Sequence, residues 1–244
     1  MCNSPQYAFR SNSEIGAFMK AILAIVLLVG MLNASDVYQM GEKIYKSTCL
    51  SCHGVDGNTN PHVSFIVNPR KLTQTILTQE QAYEIIKNGA HAMGAAADIM
   101  PSFESVLNEE ELRAVAQYIY KKFDPKAEER VDALYEKTDP IAQDKVAGML
   151  KRGKKIFNRN CSWCHGIDGR GNGEATRNPE MSIFPYNLVK SILDEKQMFL
   201  YAKHGGEYWG TRKEDMPAWA NKYDDYTLKS VIKYIKTELK DTSK

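Results

Sequence analysis

The chain has 244 residues, of which 43% are hydrophobic and 25% charged, and these proportions are ordinary for a globular protein. Its length suits two domains better than one. A formal net charge of +2 gives no support for a nucleic-acid partner.

The N-terminal region has the pattern of an export signal. A lysine follows Met19 and precedes residues 21–32, a run of 12 apolar or glycine residues. This run is shorter than the roughly 20 residues that span a membrane. We therefore predict a signal peptide over residues 1–35, with Met19 as an alternative start and cleavage after Ala34 or Ser35, and a periplasmic location. An uncleaved anchor that gives membrane association is the alternative.

Two helices are predicted near the start of each half of the remaining chain. The first covers about residues 37–50 in one half and 145–162 in the other. The second covers about residues 79–88 and 195–204, and each copy is followed by a glycine in the position that commonly ends a helix.

A last helix is predicted in each half, and no alternating pattern of a strand occurs. In the first half it starts near Asn108, where Glu111 completes a capping box. Its apolar residues share one helical face and recur in the second half: Leu112, Val115, Tyr118 and Ile119, then Leu228, Val231, Tyr234 and Ile235. Two Asp-Pro pairs and many charges between the halves predict a linker with about one helical turn. The predicted class is all-α, with domains at 36–123 and 144–244 and a linker at 124–143.

The pattern C-x-x-C-H occurs once in each half. The copies are Cys49, Cys52 and His53, and Cys161, Cys164 and His165. Cysteines three apart on a helix share a face, so two thioether bonds can reach one porphyrin, and the adjacent histidine can bind the iron. The two motifs therefore predict two covalently bound haem c groups. We expect the glycine after each histidine to let backbone and haem approach closely.

Two other interpretations of the cysteine pairs fit less well. A four-cysteine zinc site usually brings its two pairs within about 15–20 residues, whereas the second pair here begins 112 residues after the first. A redox-active disulfide would not require the histidine.

The motifs belong to a repeat that extends over both halves. From Gly41 to Gly57 the matched residues are offset by 112, and from Pro69 to Ile119 they are offset by 116. The second half therefore has four extra residues, between Arg170 and Pro185. These constant offsets indicate a duplicated domain.

Each half resembles a class I cytochrome c domain, and the pair resembles the tandem dihaem cytochromes c of bacterial respiration. In that family a glycine and an aromatic residue of the first helix pack against an aromatic residue of the last. The residues that match are Gly41, Tyr45 and Tyr118, and Gly153, Phe157 and Tyr234. The resemblance covers about residues 37–123 and 145–240.

The resemblance also implies the second axial ligand of each iron. The family places a methionine late in each domain, often before a proline, and Met100-Pro101 and Met216-Pro217 match. His53, Met100, His165 and Met216 are therefore the predicted iron ligands. Histidine with methionine closes the iron and raises its potential, which suits an electron carrier. Less favoured ligands are Met93, Met181 and Met198, and His62, His91 and His204.

A proline carbonyl in this family accepts a hydrogen bond from the other ring nitrogen of the proximal histidine, which fixes the ring. Pro69 and Pro185 are candidates for this role, in competition with Pro61 and Pro179, and a simple loop turn is the alternative.

Charge is unevenly shared between the halves. Residues 36–122 hold 8 basic and 10 acidic residues, whereas residues 144–244 hold 19 and 13. A cluster directly precedes the second motif and consists of Lys151, Arg152, Lys154 and Lys155. It either steers an acidic redox partner or is a solvated helix face.

These features predict a non-enzymatic carrier of single electrons between respiratory redox proteins. One alternative is a cytochrome c subunit of a respiratory enzyme complex. A less favoured alternative is a haem peroxidase, which would need a releasable sixth ligand on one haem.

Overall fold

The structure is a computed structural model, and it describes seven parts of the chain: 34–59, 69–90, 94, 100–137, 146–178, 185–209 and 216–239. All regular structure in these parts is helical. Most of the predicted signal peptide, residues 1–33, lies outside the described residues. In the described parts, no helix combines the length and the apolar character that a membrane crossing requires.

The first domain has one helix that leads into its haem motif, two short helical segments at the motif and two longer helices after it. Residues 34–44 form α1, and a π-helical turn, Tyr45–Cys49, leads into α2, Leu50–His53. Helix α3 is Gln79–Asn88, and α4 is Glu109–Phe123. The predicted capping box of α4 is present, and the bond from the Glu111 backbone N–H to the Asn108 side chain is 3.0 Å long.

The second domain repeats this order. Helix α6, Val146–Ile156, passes through a π-helical turn, Phe157–Cys161, into α7, Ser162–His165. Helix α8 is Glu195–Tyr208 and α9 is Asp225–Glu238. The sequence predicted an uninterrupted first helix in each half. A π-helical turn interrupts this helix instead, at the same place in both halves. Such turns are frequent at functional sites.

The first and last helices of each domain cross at a glycine. A Cβ atom on Gly153 of α6 would collide with the carbonyl oxygen of Ser230 in α9. Gly41 of α1 meets Ala114 of α4 in the same way. The helix backbones therefore touch, and a side chain at either glycine would separate them.

Aromatic rings pack beside both crossings, as the family resemblance implied. The rings of Tyr45 and Tyr118 have centroids 5.5 Å apart, and those of Phe157 and Tyr234 are 5.6 Å apart. The Tyr45 hydroxyl also donates a 2.6 Å hydrogen bond to the carbonyl of Gly54. Phe157 has no hydroxyl, so the second domain lacks this bond.

The segment between the domains is more ordered than the sequence predicted. It contains α5, Ala127–Glu136, a helix of ten residues instead of about one turn. Arg130 binds the side chain of Asp124 and the carbonyl of Thr75 on the first domain. Tyr135 packs edge-on against Phe199 of the second domain, with centroids 5.6 Å apart. This helix therefore contacts both domains.

A pair of glutamines joins the domains directly. Gln81 and Gln197 occupy equivalent positions of the repeat, and each side-chain amide donates to the oxygen of the other at 2.7 Å. Gln81 also donates to the carbonyl of Ile192, and Gln197 to that of Ile76, which are again equivalent positions. Equivalent residues that bind each other lie near an axis, so the domains are related by an approximate two-fold rotation.

Apolar packing continues across this junction. Ile76 and Ile85 of the first domain are buried in the same cluster as Leu193, Met198 and other residues of the second domain. The two glutamines share this environment, and all polar atoms of their side-chain amides have a partner. The junction therefore combines apolar burial with a satisfied polar network, which favours one defined arrangement.

Candidate haem-binding sites

Each C-x-x-C-H motif lies where a helix ends. Its first cysteine is the last residue of the π-helical turn, and its second cysteine and histidine fall on the short helix that follows. Cys49 is buried, Cys52 is exposed, and Cys161 and Cys164 are intermediate. Burial is the main cause that raises the pKa of Cys49 to about 11 and that of Cys161 to about 12.

These thiols are poor candidates for a redox-active disulfide. Reactive cysteines have lowered pKa values because the thiolate is the nucleophile, whereas Cys49 and Cys161 have raised ones. Among the described residues, no group of three or more His, Cys, Asp or Glu side chains is arranged to hold a metal ion.

The two motif histidines are held in a form that can bind iron. Burial lowers the pKa of both His53 and His165, which favours the neutral ring. Nδ1 of His165 lies 3.0 Å from the carbonyl oxygen of Tyr186, a spacing that suits an Nδ1–H donor. Its Nε2 then carries the lone pair, which is the state that a metal-binding histidine needs.

The acceptor for His165 is one residue later than the sequence predicted. The carbonyl that faces His165 belongs to Tyr186 instead of Pro185. At the first motif, the backbone carbonyl of Arg70, the residue after Pro69, raises the pKa of His53, but the opposite effect of burial is larger. Nδ1 of His53 is buried and has no hydrogen bond of normal geometry within the described residues. Pro61 and Pro179 lie outside the described residues.

The glycine after each histidine serves the backbone turn. Gly54 and Gly166 end their helices with φ of 72° and 77°, a region that favours glycine. A Cβ on Gly166 would also collide with the side chain of Asn172. The contacts of Gly166 explain a glycine at this position through the loop, and its close approach to a haem stays a prediction.

The two Met-Pro segments are anchored identically. The carbonyl of Met100 accepts from Ala90 N–H at 2.9 Å, and that of Met216 accepts from Gly206 N–H at 2.7 Å. Three residues later, the backbone N–H of Phe103 donates to Ile86, and that of Trp219 donates to Ala202.

These bonds require glycine at the end of the preceding helix. Gly89 and Gly205 have φ of 75° and 76°, and a Cβ on either would come within 2.8 Å of the methionine carbonyl. At Gly205 this conformation interrupts α8, so regular helix ends close to the predicted residue 204. Each methionine is therefore held by backbone bonds in a position that the duplication has preserved.

Most rival ligands have other roles or lie outside the described residues. Met198 is 6% exposed within the apolar cluster of the second domain, as expected for a core residue. His204 stacks on Tyr208, with ring centroids 4.7 Å apart. The remaining rivals are outside the described residues: Met93, Met181, His62 and His91.

The side chain of Trp219 offers a further hydrogen-bond donor to a bound haem. The indole Nε1 of Trp219 is buried and has no hydrogen-bond partner among the described residues. A buried donor without an acceptor is costly, and haem carboxylates are acceptors. With paired thiols, oriented histidines and anchored methionines, the residues present fit a haem group in each domain.

The second site differs from the first in its loop and its surface. The described part of the stretch that holds the extra residues contains a 3₁₀ helix, Glu174–Arg177, which packs against α7. Gly173 N–H donates to the carbonyl of Cys164 at 3.1 Å. The four basic residues of the cluster that precedes the motif are exposed on α6, and Arg152 lies 5.5 Å from the Tyr226 ring.

The fold and the two sites define a tandem dihaem c-type cytochrome. A family model described as "Cytochrome C oxidase, cbb3-type, subunit III" matches residues 36–119 and again residues 148–235. The chain belongs to this family. The match confirms two tandem cytochrome c domains and two haem c groups.

Two curated relatives cover most of this chain. The cbb3-type cytochrome c oxidase subunit FixPc of Rhizobium leguminosarum bv. viciae is 25% identical over 198 residues, which are 80% of this chain and 58% of the relative. Subunit CcoP of Helicobacter pylori is 24% identical over 171 residues, or 68% and 51%. The chain therefore spans little more than half the length of these relatives.

A solved structure is also similar to this chain. It is the reducing HAO-like protein complex of Kuenenia stuttgartiensis, with 22% identity and a TM-score of 0.42. The match covers 82% of this chain and 96% of that one.

Proposed function

We propose that the protein carries single electrons between respiratory redox proteins and that both of its haems are closed to substrates. The observation that carries this proposal is the identical anchoring of Met100 and Met216. A haem c with histidine and methionine ligands exchanges one electron and keeps its coordination unchanged. Two equivalent sites of this kind favour a carrier over a peroxidase, which needs one open or releasable position.

The proposed ligand set follows the two domains. Cys49 and Cys52 hold the first haem, with His53 and Met100 on its iron. The second haem is held by Cys161 and Cys164, with His165 and Met216 on its iron. The carbonyl of Tyr186 orients the ring of His165, and burial lowers the pKa of both histidines, which favours the neutral ring that binds iron.

The names of the relatives favour one partner. FixPc and CcoP are both named as subunits of cbb3-type cytochrome c oxidases. We therefore propose that this chain delivers electrons within or to an oxidase of that type, on the periplasmic side. The apolar run at residues 21–32 supports export, either as a cleaved signal or as an anchor. Co-purification of the full chain with an oxidase tests this assignment.

Electron exchange and peroxide reactivity separate the two functions. We expect the fully reduced protein to transfer two electrons to excess ferric mitochondrial-type cytochrome c, in a reaction followed by absorbance. Under the same conditions, hydrogen peroxide should give no ferryl spectrum and no turnover with an added electron donor. Catalytic peroxide turnover, with either haem becoming high-spin, would contradict the proposal.

A further inference from the structure

The segments that face the two motif histidines meet at the junction between the domains. Arg70 and Tyr186 occupy equivalent positions of the repeat, each directly after a proline. The guanidinium carbon of Arg70 lies 4.8 Å from the centre of the Tyr186 ring. Like the pair of glutamines, these equivalent residues contact each other, so they also lie near the approximate two-fold axis.

The same segments are fixed by backbone contact. Asn187, the residue after Tyr186, donates its N–H to the carbonyl of Gly94 in the first domain at 2.7 Å. Gly94 has φ of 79°, and a Cβ on it would collide with the Asn187 backbone. The segment that carries the acceptor for His165 is therefore held directly against the first domain.

The guanidinium of Arg70 lies against the second domain, beside the segment that faces His165. Its guanidinium carbon also lies 5.3 Å from the centre of the Tyr201 ring. This cation of the first domain therefore makes cation–π contacts with two aromatic residues of the second domain. The carbonyl of Tyr186 faces His165 at 3.0 Å. The backbone of Arg70 belongs to the segment that faces His53, but its guanidinium lies over two rings of the second domain, where a neutral tyrosine occupies the equivalent position.

We propose that Arg70 is a positioning residue that acts across the domain junction and raises the reduction potential of the second haem. A nearby cation favours the reduced iron, which has one positive charge fewer than the oxidised iron. Its stacking on Tyr186 holds the segment that orients His165. This inference rests on the proposed two-haem carrier. It adds that the charge of Arg70 shifts the electron between the haems toward the second one.

Substitution of Arg70 tests the inference through the potentials of the holoprotein. In Arg70→Gln, a redox titration followed by absorbance should show a reduction equilibrium of the second haem that is threefold to tenfold less favourable. A tenfold change is 59 mV for one electron. The first haem should move by less than half as much. A Met216→His variant identifies which of the two waves belongs to the second haem.

Two controls make the result specific. Arg113→Gln removes another arginine that stacks on a ring, with its guanidinium carbon 4.1 Å from the centre of Tyr83. This ring and the ion-pair partners of Arg113, Glu80 and Glu109, all belong to the first domain. The Arg113→Gln variant should leave both waves in place. Arg70→Lys keeps the charge and loses the planar stacking, so the second wave should move less than in Arg70→Gln.

Three results would overturn the inference: unchanged potentials in Arg70→Gln, equal shifts of both waves, or the same shift in Arg113→Gln. If Arg70→Gln does not fold, Arg70→Met takes its place as the uncharged variant, and unchanged potentials or equal shifts of both waves in it contradict the proposal. A wild-type protein without two low-spin haems would instead contradict the carrier function.

Discussion

Replacement of Met216 by histidine should lower the potential of one haem far more than that of the other. Axial ligands set haem potentials over a range of about 0.8 V, and methionine lies toward the higher end. We therefore expect the reduction equilibrium constant of one haem to fall by well over tenfold, which lowers its potential by more than 59 mV. Met100→His should have the same effect on the other wave. Both are measured by spectroelectrochemistry.

The core of the second domain offers a matched control for this experiment. Met198 is buried and packs with Phe199 and Leu200, so Met198→Leu conserves volume and should cost less than about 1.5 kcal/mol. It should leave both potentials unchanged. If Met216→His leaves the ferric spectrum and both waves as they are in the wild type, another residue is the ligand.

Alanine at Gly153 should destabilise the second domain by about 2 kcal/mol or more. The added methyl group would press on the Ser230 carbonyl and come within 2.8 Å of the Tyr234 Cβ, and overpacking of this kind typically costs 1–3 kcal/mol or more. The backbones of α6 and α9 would have to separate, since backbone atoms cannot rotate away. The measurement is guanidinium unfolding of the holoprotein, followed by helical circular dichroism.

The same helix provides the control for this prediction. A Cβ on Gly148 of α6 has no atom within 4 Å. Gly148→Ala should therefore stabilise the protein by about 0.5–1 kcal/mol through helix propensity alone. Equal changes in the free energy of unfolding of the two alanine variants would contradict the backbone contact between α6 and α9 at Gly153.

The repeat made much of this structure predictable from the sequence. The offsets of 112 and 116 paired the crossing glycines, the aromatic rings and the Met-Pro segments, and the structure gives each pair equivalent contacts. The capping box at Asn108 was predictable because it depends on residues three apart in the chain. These features are local, or they are repeated in the two copies.

Features that depend on the contact between domains were not predictable. Gln81 and Gln197 were visible as equivalent residues, but each also completes the capping box of its own helix. That local role explains a glutamine without any partner in the other domain. The carbonyls of Arg70 and Tyr186 were missed because every residue has a carbonyl, so the sequence pattern pointed to the proline before it.

The linker shows a different failure of the sequence pattern. Two Asp-Pro pairs suggested irregular chain, but α5 begins after the first pair and ends before the second. Its stability comes from contacts with both domains, including Val131 in the apolar cluster and the ion pair of Arg130 with Asp124. Tertiary packing of this kind supplies most of the stability of short helices.

The ferric absorbance spectrum of the holoprotein, taken with its haem content, tests the central claim most directly. Two low-spin haems per chain are predicted, both giving the charge-transfer band of iron bound to methionine sulfur. Loss of half of that band in Met100→His, and of the other half in Met216→His, would assign it to the two sites. One haem per chain, or a high-spin haem in the wild-type protein, would contradict the account.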